Sequence, residues 1–350
     1  MTIKENILRA IRFENPEYIP MSFSVNDACW HHYDKEALED LMESHPLLFP
    51  GYRRQSRAVV PDYLLNARAD QPYTDPWECL WKTTDNGITG AVHGHPLASW
   101  EDFSEYRPPN PEITDGTYPI SWKEISDDAQ KNRANGRLVW LGLPHGHTFL
   151  RLQDIRGYEN LLGDMADSEP NLEKLIALIS DFNEAFVKKA LLLKPDIFSY
   201  ADDLGMQVGP MITPIHFQQY IAPVYRRLMK PAIDSGCIVH MHSDGDIRSL
   251  ADDLLLAGVQ VINLQDLVNG IEWIKEKFSA RICIELDIDR QRVTRFGTPG
   301  EIDALILDEV RQLGSAHGGL MMIYGLYPGV PLANVKALMD AMEKYAGYWS

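Results

Sequence analysis

From about residue 137 onward, short apolar runs alternate with longer stretches whose apolar residues recur at helical spacing. The runs cover residues 138–143, 197–200, 238–242, 259–264, 282–286 and 320–324, and amphipathic segments such as 172–192, 214–235, 247–257 and 300–314 lie between them. Short apolar runs in regular alternation with helical patterns predict βαβ units in a parallel sheet. An earlier strand over residues 18–24 and another near 58–63 bring the expected total to eight, so the chain is read as an α/β protein, a (β/α)8 TIM barrel.

Residues 64–136 break this rhythm. They are rich in Pro, Trp and Asp, as in Asp75-Pro76-Trp77, His95-Pro96-Leu97 and Tyr106-Arg107-Pro108-Pro109, and they show no clear core periodicity. We therefore expect one domain over residues 1–350, with 64–136 inserted and folded over the barrel mouth.

Composition narrows the function classes. The apolar fraction of 45% is that of a globular protein with a full core. A net charge of −17 without any basic run argues against binding nucleic acid. No apolar run approaches the length of a membrane span. The four cysteines are far apart and form no CxxC pair, which suggests reduced thiols, and the N-terminus lacks the pattern of a leader. The expectation is a soluble cytoplasmic protein acting on small molecules or with a protein partner.

Chemistry in a parallel barrel collects at the carboxyl ends of the strands. The segment Val239-His240-Met241-His242-Ser243-Asp244-Gly245 puts two imidazoles on one side of a strand and a carboxylate in the turn that stops it. Other strand ends contribute Asp203, Glu285 and Tyr324, and the loop after residue 143 contributes His145, His147 and Arg151. Two imidazoles with a neighbouring carboxylate suit zinc, and His240, His242 and Glu285 are the expected ligands, with Asp203 and Asp244 as rivals. Without a metal the same groups could serve as a proton donor set. Gln207 and Trp77 join His145, His147 and Arg151 as candidate substrate contacts, the aromatic residues of the insertion suiting a flat apolar substrate.

The segments Asp75-Pro76-Trp77, Tyr200-Ala201-Asp202-Asp203-Leu204-Gly205-Met206-Gln207, Val239 to Gly245, Leu286-Asp287 and Pro328-Gly329-Val330-Pro331-Leu332-Ala333-Asn334-Val335 together resemble the uroporphyrinogen decarboxylase superfamily of (β/α)8 barrels. The decarboxylases of that superfamily hold a tetrapyrrole's carboxylates with an Arg-rich motif near the N-terminus. The matching stretch here, residues 19–27, contains no Arg, so that activity is disfavoured. The other large branch comprises corrinoid-dependent methyltransferases. Its thiol-methylating members hold zinc with a His-x-Cys pair and a later Cys, and the corresponding positions here are His240-Met241-His242 and Tyr324. Loss of both sulfur ligands makes an oxygen leaving group the better match. The resemblance therefore implies an O-demethylase component that moves a methyl group from a methoxylated, aromatic substrate to the cobalt of a cobalamin carried by a corrinoid-binding partner protein. A decarboxylase of an aromatic or tetrapyrrole acid, and a non-catalytic barrel that binds a corrinoid protein, are the alternatives.

Overall fold

A computed structural model describes residues 1–54 and 61–350. Ten strands are present among them: β1 (Met21–Val25), β2 (Tyr73–Thr74), β3 (Leu80–Lys82), β4 (Ala91–Gly94), β5 (Trp140–Gly142), β6 (Ile197–Ala201), β7 (Ile238–Ser243), β8 (Val261–Gln265), β9 (Cys283–Asp287) and β10 (Leu320–Leu326). Six of the seven runs expected as strands upstream and downstream of the insertion begin or end within two residues of a strand at both boundaries, and the seventh, 18–24, starts three residues early. Half of the eighth expected strand, near 58–63, lies outside the described residues, and Pro61 to Tyr63 carry no strand. The described residues thus supply seven strands of the parallel α/β pattern and do not complete a set of eight.

Backbone contacts divide the chain into two compact units. The first comprises Met1–Gln71, Thr83–Gly90 and Leu264–Ser350. In it β1, β10 and β9 lie side by side and parallel, with Phe23 opposite Tyr324 and Met321 opposite Glu285. Helix Pro299–Leu313 begins with a capping box in which Thr298 and Glu301 satisfy each other's backbone donors. Its buried Ile302, Ile306 and Val310, one per helical turn, face the same core as Val335, Leu338 and Met342 of helix Leu332–Ala346.

The second unit comprises Pro72–Lys82 and Ala91–Asn263. Here β5, β6 and β7 are parallel, in that order, and in register from Ile197 opposite Ile238 to Ala201 opposite His242. Ile197, Phe198, Tyr200, Val239 and Met241 are all buried, as a strand covered on both faces requires. Helix Pro170–Leu191 packs against the helix Ala222–Asp234. The stretch 64–136, which the sequence presents as irregular, contains the antiparallel β2–β3–β4 sheet and a helix at Trp122–Ala134. Trp77 is buried here with its ring edge-on to Phe182. Among the described residues no helix is long and apolar enough to cross a membrane.

Candidate active site

The loops that follow β6 and β7 are joined by their main chains. Asp202 N donates to His242 O at 3.0 Å, Gly205 N to Asp244 O at 3.2 Å and Asp246 N to Met206 O at 2.8 Å. Ser243 Oγ accepts from Leu204 N at 2.9 Å. Such contact demands the glycines of both segments: a Cβ on Gly205 would lie 2.4 Å from Asp246 N, and one on Gly245, whose φ is +80°, would lie 2.1 Å from Gly205 C. The third loop, residues 143–148, is tied in by Gly146 N donating to Ala201 O at 2.8 Å.

The two adjacent aspartates after β6 do different work. Asp202 is buried and accepts from Phe149 N at 2.6 Å and Leu150 N at 3.0 Å, which satisfies orphan donors at the start of helix Phe149–Arg156. It also accepts from the Tyr225 hydroxyl at 2.8 Å. Burial raises its pKa to about 6 despite these bonds. Asp203 instead faces the histidines. Its Oδ1 lies 3.2 Å from His145 Nε2 and 3.5 Å from His242 Nε2, and accepts from Asp244 N at 3.0 Å.

The electrostatics of this trio are strongly coupled. Burial would raise the Asp203 carboxyl, but the hydrogen bonds from His145 and His242 outweigh it and hold the group far below the usual carboxylate range. For His242 burial opposes the charged ring, yet the Asp203 hydrogen bond and the Asp244 carboxylate, 3.9 Å away, prevail and lift its pKa to about 9. His145 is raised too, packing around its ring being overcome by Asp203. The other nitrogen of His242, Nδ1, meets Asn263 Oδ1 in a short hydrogen bond, which fixes the ring's orientation.

The residues singled out in the sequence are thus only partly assembled. His242, Asp203, Asp244 and His145 converge, and His145 belongs with the ionisable cluster instead of acting only as a substrate contact. His240 is buried, with Nδ1 2.8 Å from Ser199 Oγ and its ring edge-on to Trp140. Glu285 and Tyr324 lie on β9 and β10 in the first unit, where the buried Tyr324 hydroxyl donates to Thr294 Oγ1 at 3.2 Å. Gln207 is exposed in the loop after β6.

Three other candidate substrate contacts turn inward. His147 is buried between Tyr200 and Tyr225, and burial pushes its pKa down to about 3. Arg151 is buried in an ion pair with Asp75 at 2.5 Å and donates to Thr117 Oγ1 at 3.1 Å. Asp75 also accepts from Trp81 Nε1 at 2.9 Å, so this network ties helix Phe149–Arg156 to the β2–β3 region. Together with Trp77, these residues build the unit's interior. The residue that sequence reasoning missed is Asn263, a polar side chain in the middle of the strand Val261–Gln265.

His145 Nε2, His242 Nε2 and Asp203 Oδ1 all fall within 4.8 Å of one another and could hold a metal ion. Nitrogen and carboxylate donors in threes are the set that catalytic zinc uses, with a further position left for a reactant. Asn263 on the far nitrogen of His242 supplies the kind of support that orients a metal-bound imidazole. The donor set therefore fits zinc. No thiol joins such a group among the described residues, and burial raises all four: Cys29 and Cys237 to about 12, Cys79 and Cys283 further.

The family model for uroporphyrinogen decarboxylase (URO-D) matches residues 88–345. The chain belongs to the uroporphyrinogen decarboxylase family. Among solved structures, a methyltransferase from Methanosarcina mazei has a similar fold, with a TM-score of 0.68 and 15% identity over 99% of each chain. A B12-independent methionine synthase from Shewanella sp. W3-18-1 aligns over 67% of this chain and 69% of that one, at 12% identity and a TM-score of 0.43. No curated protein matches the sequence.

Proposed function

We propose that the protein is a methyltransferase that takes the methyl group of a methoxylated aromatic compound and passes it to the cobalt of a corrinoid-binding partner protein, leaving the demethylated phenol. The observation that carries this reading is the convergence of two imidazoles and a carboxylate, without any thiol, on joined strand-end loops. The methyltransferase fold of the Methanosarcina protein supports it.

An aryl ether is inert because the phenolate that leaves is basic. The acceptor, a reduced corrinoid cobalt held by the partner, supplies the electron pair for the new bond to carbon. As the carbon–oxygen bond breaks, its electrons stay on the oxygen, which must be neutralised. His242 is suited to this: with a pKa near 9 it carries a proton at neutral pH and can transfer it to the leaving oxygen from Nε2. Asp203 holds the ring charged beforehand, Asn263 fixes its rotation, and His145 Nε2 shares a hydrogen bond with the same carboxylate. Zinc, where bound by His145, Asp203 and His242, would supply Lewis acidity toward the same oxygen.

The test is to incubate the protein with a reduced corrinoid protein and a panel of methoxybenzenes such as guaiacol and veratrole, following the absorbance of the methylated corrinoid. Transfer from at least one donor, lost in His242→Ala, is expected. Absence of transfer from every donor overturns the assignment, and release of carbon dioxide from an aromatic acid would replace it with a decarboxylase.

A further inference from the structure

A second group of ligating side chains stands in the first unit, independent of the site above. The loop between β3 and β4, residues 83–90, is packed against the short helix Cys29–His32 and the turn at Leu65–Ala67. Gly87 N donates to Ala67 O and Gly90 N to Asn66 O, each at 2.8 Å. Gly87 has φ +85°, and a Cβ there would lie 2.4 Å from Ala28 N, so only glycine allows this approach. Thr83 Oγ1 accepts from Asp85 N at 3.3 Å and donates to Asp85 O at 3.2 Å, which shapes the turn that carries Asp85.

The consequence is a convergence that local geometry alone disfavours. Adjacent residues on a helix point about 100° apart and do not face each other. Here His31 and His32, at the end of their helix, turn together until their ring centroids are 4.6 Å apart. Their Nε2 atoms reach the two oxygens of one carboxylate, His31 to Asp85 Oδ1 at 3.1 Å and His32 to Asp85 Oδ2 at 3.0 Å. All three side chains are about two-fifths exposed, so nothing in their packing forces the arrangement. The far nitrogen of His31 is met by the Tyr63 hydroxyl at 3.3 Å, with the rings edge-on. That contact leaves Nε2 as the ligating atom and supports the ring from behind.

We propose that His31, His32 and Asp85 form a second site for a divalent transition metal, zinc by preference, which clasps the 83–90 loop to the helix at Cys29–His32. The three donor atoms lie within 4.8 Å of one another. Tetrahedral zinc holds such donors about 3.4 Å apart, so side-chain movements of about 1 Å suffice. Binding replaces whatever protons the two Nε2 atoms carry, and releases them to solvent. Tyr63 keeps the Nδ1 proton of His31 in place as a donor to its hydroxyl oxygen. The role of this metal is to fasten two segments more than fifty residues apart in sequence.

This inference does not rest on the proposed activity, and its test keeps the two apart. Metal-stripped full-length protein carrying His145→Ala and His242→Ala is titrated with zinc sulfate by calorimetry, and bound zinc is counted by elemental analysis. One equivalent is expected. Adding His31→Ala and His32→Ala removes it, Asp85→Asn weakens it at least about tenfold, and Tyr63→Phe weakens it about tenfold. In the otherwise unaltered chain, His31→Ala with His32→Ala lowers the zinc count by one, which covers the case of a background variant that folds poorly. Amide exchange over residues 83–90 slows on zinc addition only when both histidines are present. Absence of zinc from the His145→Ala, His242→Ala protein while it remains folded, or zinc that survives loss of His31 and His32, overturns the proposal.

Discussion

Replacing Asp203 with Asn tests the electrostatic account of the candidate active site without removing a side chain's volume. His242 is four-fifths buried, a setting that by itself favours the neutral ring. Its pKa stands at about 9 against an ordinary 6.5, so its acidic neighbours stabilise the charged form by roughly 3 kcal/mol beyond the burial penalty. The groups that face it are Asp203, Asp244, His145 and Asn263. Of these, Asp203 makes the closer carboxylate contact and the hydrogen bond. In Asp203→Asn the burial penalty is left opposed mainly by Asp244, and the midpoint of His242 should fall below 6.5. Carbon-13 labelling of histidine and NMR titration of metal-free protein read this directly. The same shift has a stability consequence. A histidine whose pKa is raised on folding contributes stability that is fully present below 6.5 and lost as pH climbs through about 9. Metal-free wild type should therefore lose resistance to urea over that window, while Asp203→Asn should be flat across it. A variant midpoint that stays near 9, or a wild type without the pH-dependent loss, refutes the reasoning.

Three further outcomes follow from other parts of the molecule. Glu309 is fully buried and close to Asp266 and Asp289, and burial together with the Asp266 charge raises its pKa well above the ordinary value of 4.5. A carboxyl raised on folding favours the native state below 4.5 and weakens it as pH rises, so Glu309→Gln should be more stable than wild type at pH 8, with the gap closing toward pH 5; parallel urea midpoints across that range would contradict this. Gly245→Ala forces a side chain to a φ of +80° and into the main chain of Gly205, and should cost roughly 3 kcal/mol or more, read as a fall in denaturation midpoint at constant slope; a loss under about 1 kcal/mol would show that the two loops are not locked. Asn263→Ala leaves His242 without its orienting partner and should lower methyl-transfer turnover about tenfold or more with little change in substrate binding; unchanged turnover would remove Asn263 from the site.

Much of the parallel α/β scaffold is legible because the strands from β5 to β10 fall on short, mainly apolar runs separated by helical patterns, and a long helix such as Pro170–Leu191 shows its period plainly. The β2–β3–β4 sheet is not, since strands of two to four residues are too short to display alternation. The His-x-His segment pointed to the right strand end, yet strand parity could not say which carboxylate His242 would meet. That depended on contacts between loops forty residues apart, held by Gly205 and Gly245. His145 and His147 illustrate a second limit. Both are expected as substrate contacts, but Gly146 adopts φ +78° between them, so one ring reaches Asp203 and the other is driven into the interior beside Tyr225. Arg151 and Trp77 read as mouth residues because they border loops, and the buried pairing of Arg151 with Asp75 requires two segments that the sequence keeps more than seventy residues apart.

The joined main chains beneath the site make its side chains exchangeable parts. The bonds that set the positions of 203, 242 and 244 run between backbone groups and through Ser243, and none of them needs the imidazole of His242. A thiol at 242 would therefore be presented by the same frame to the same neighbours, with nitrogen traded for softer sulfur and the register of the loops undisturbed. On such a frame the donor atom at 242 can change from nitrogen to sulfur while the fold that carries it stays as it is.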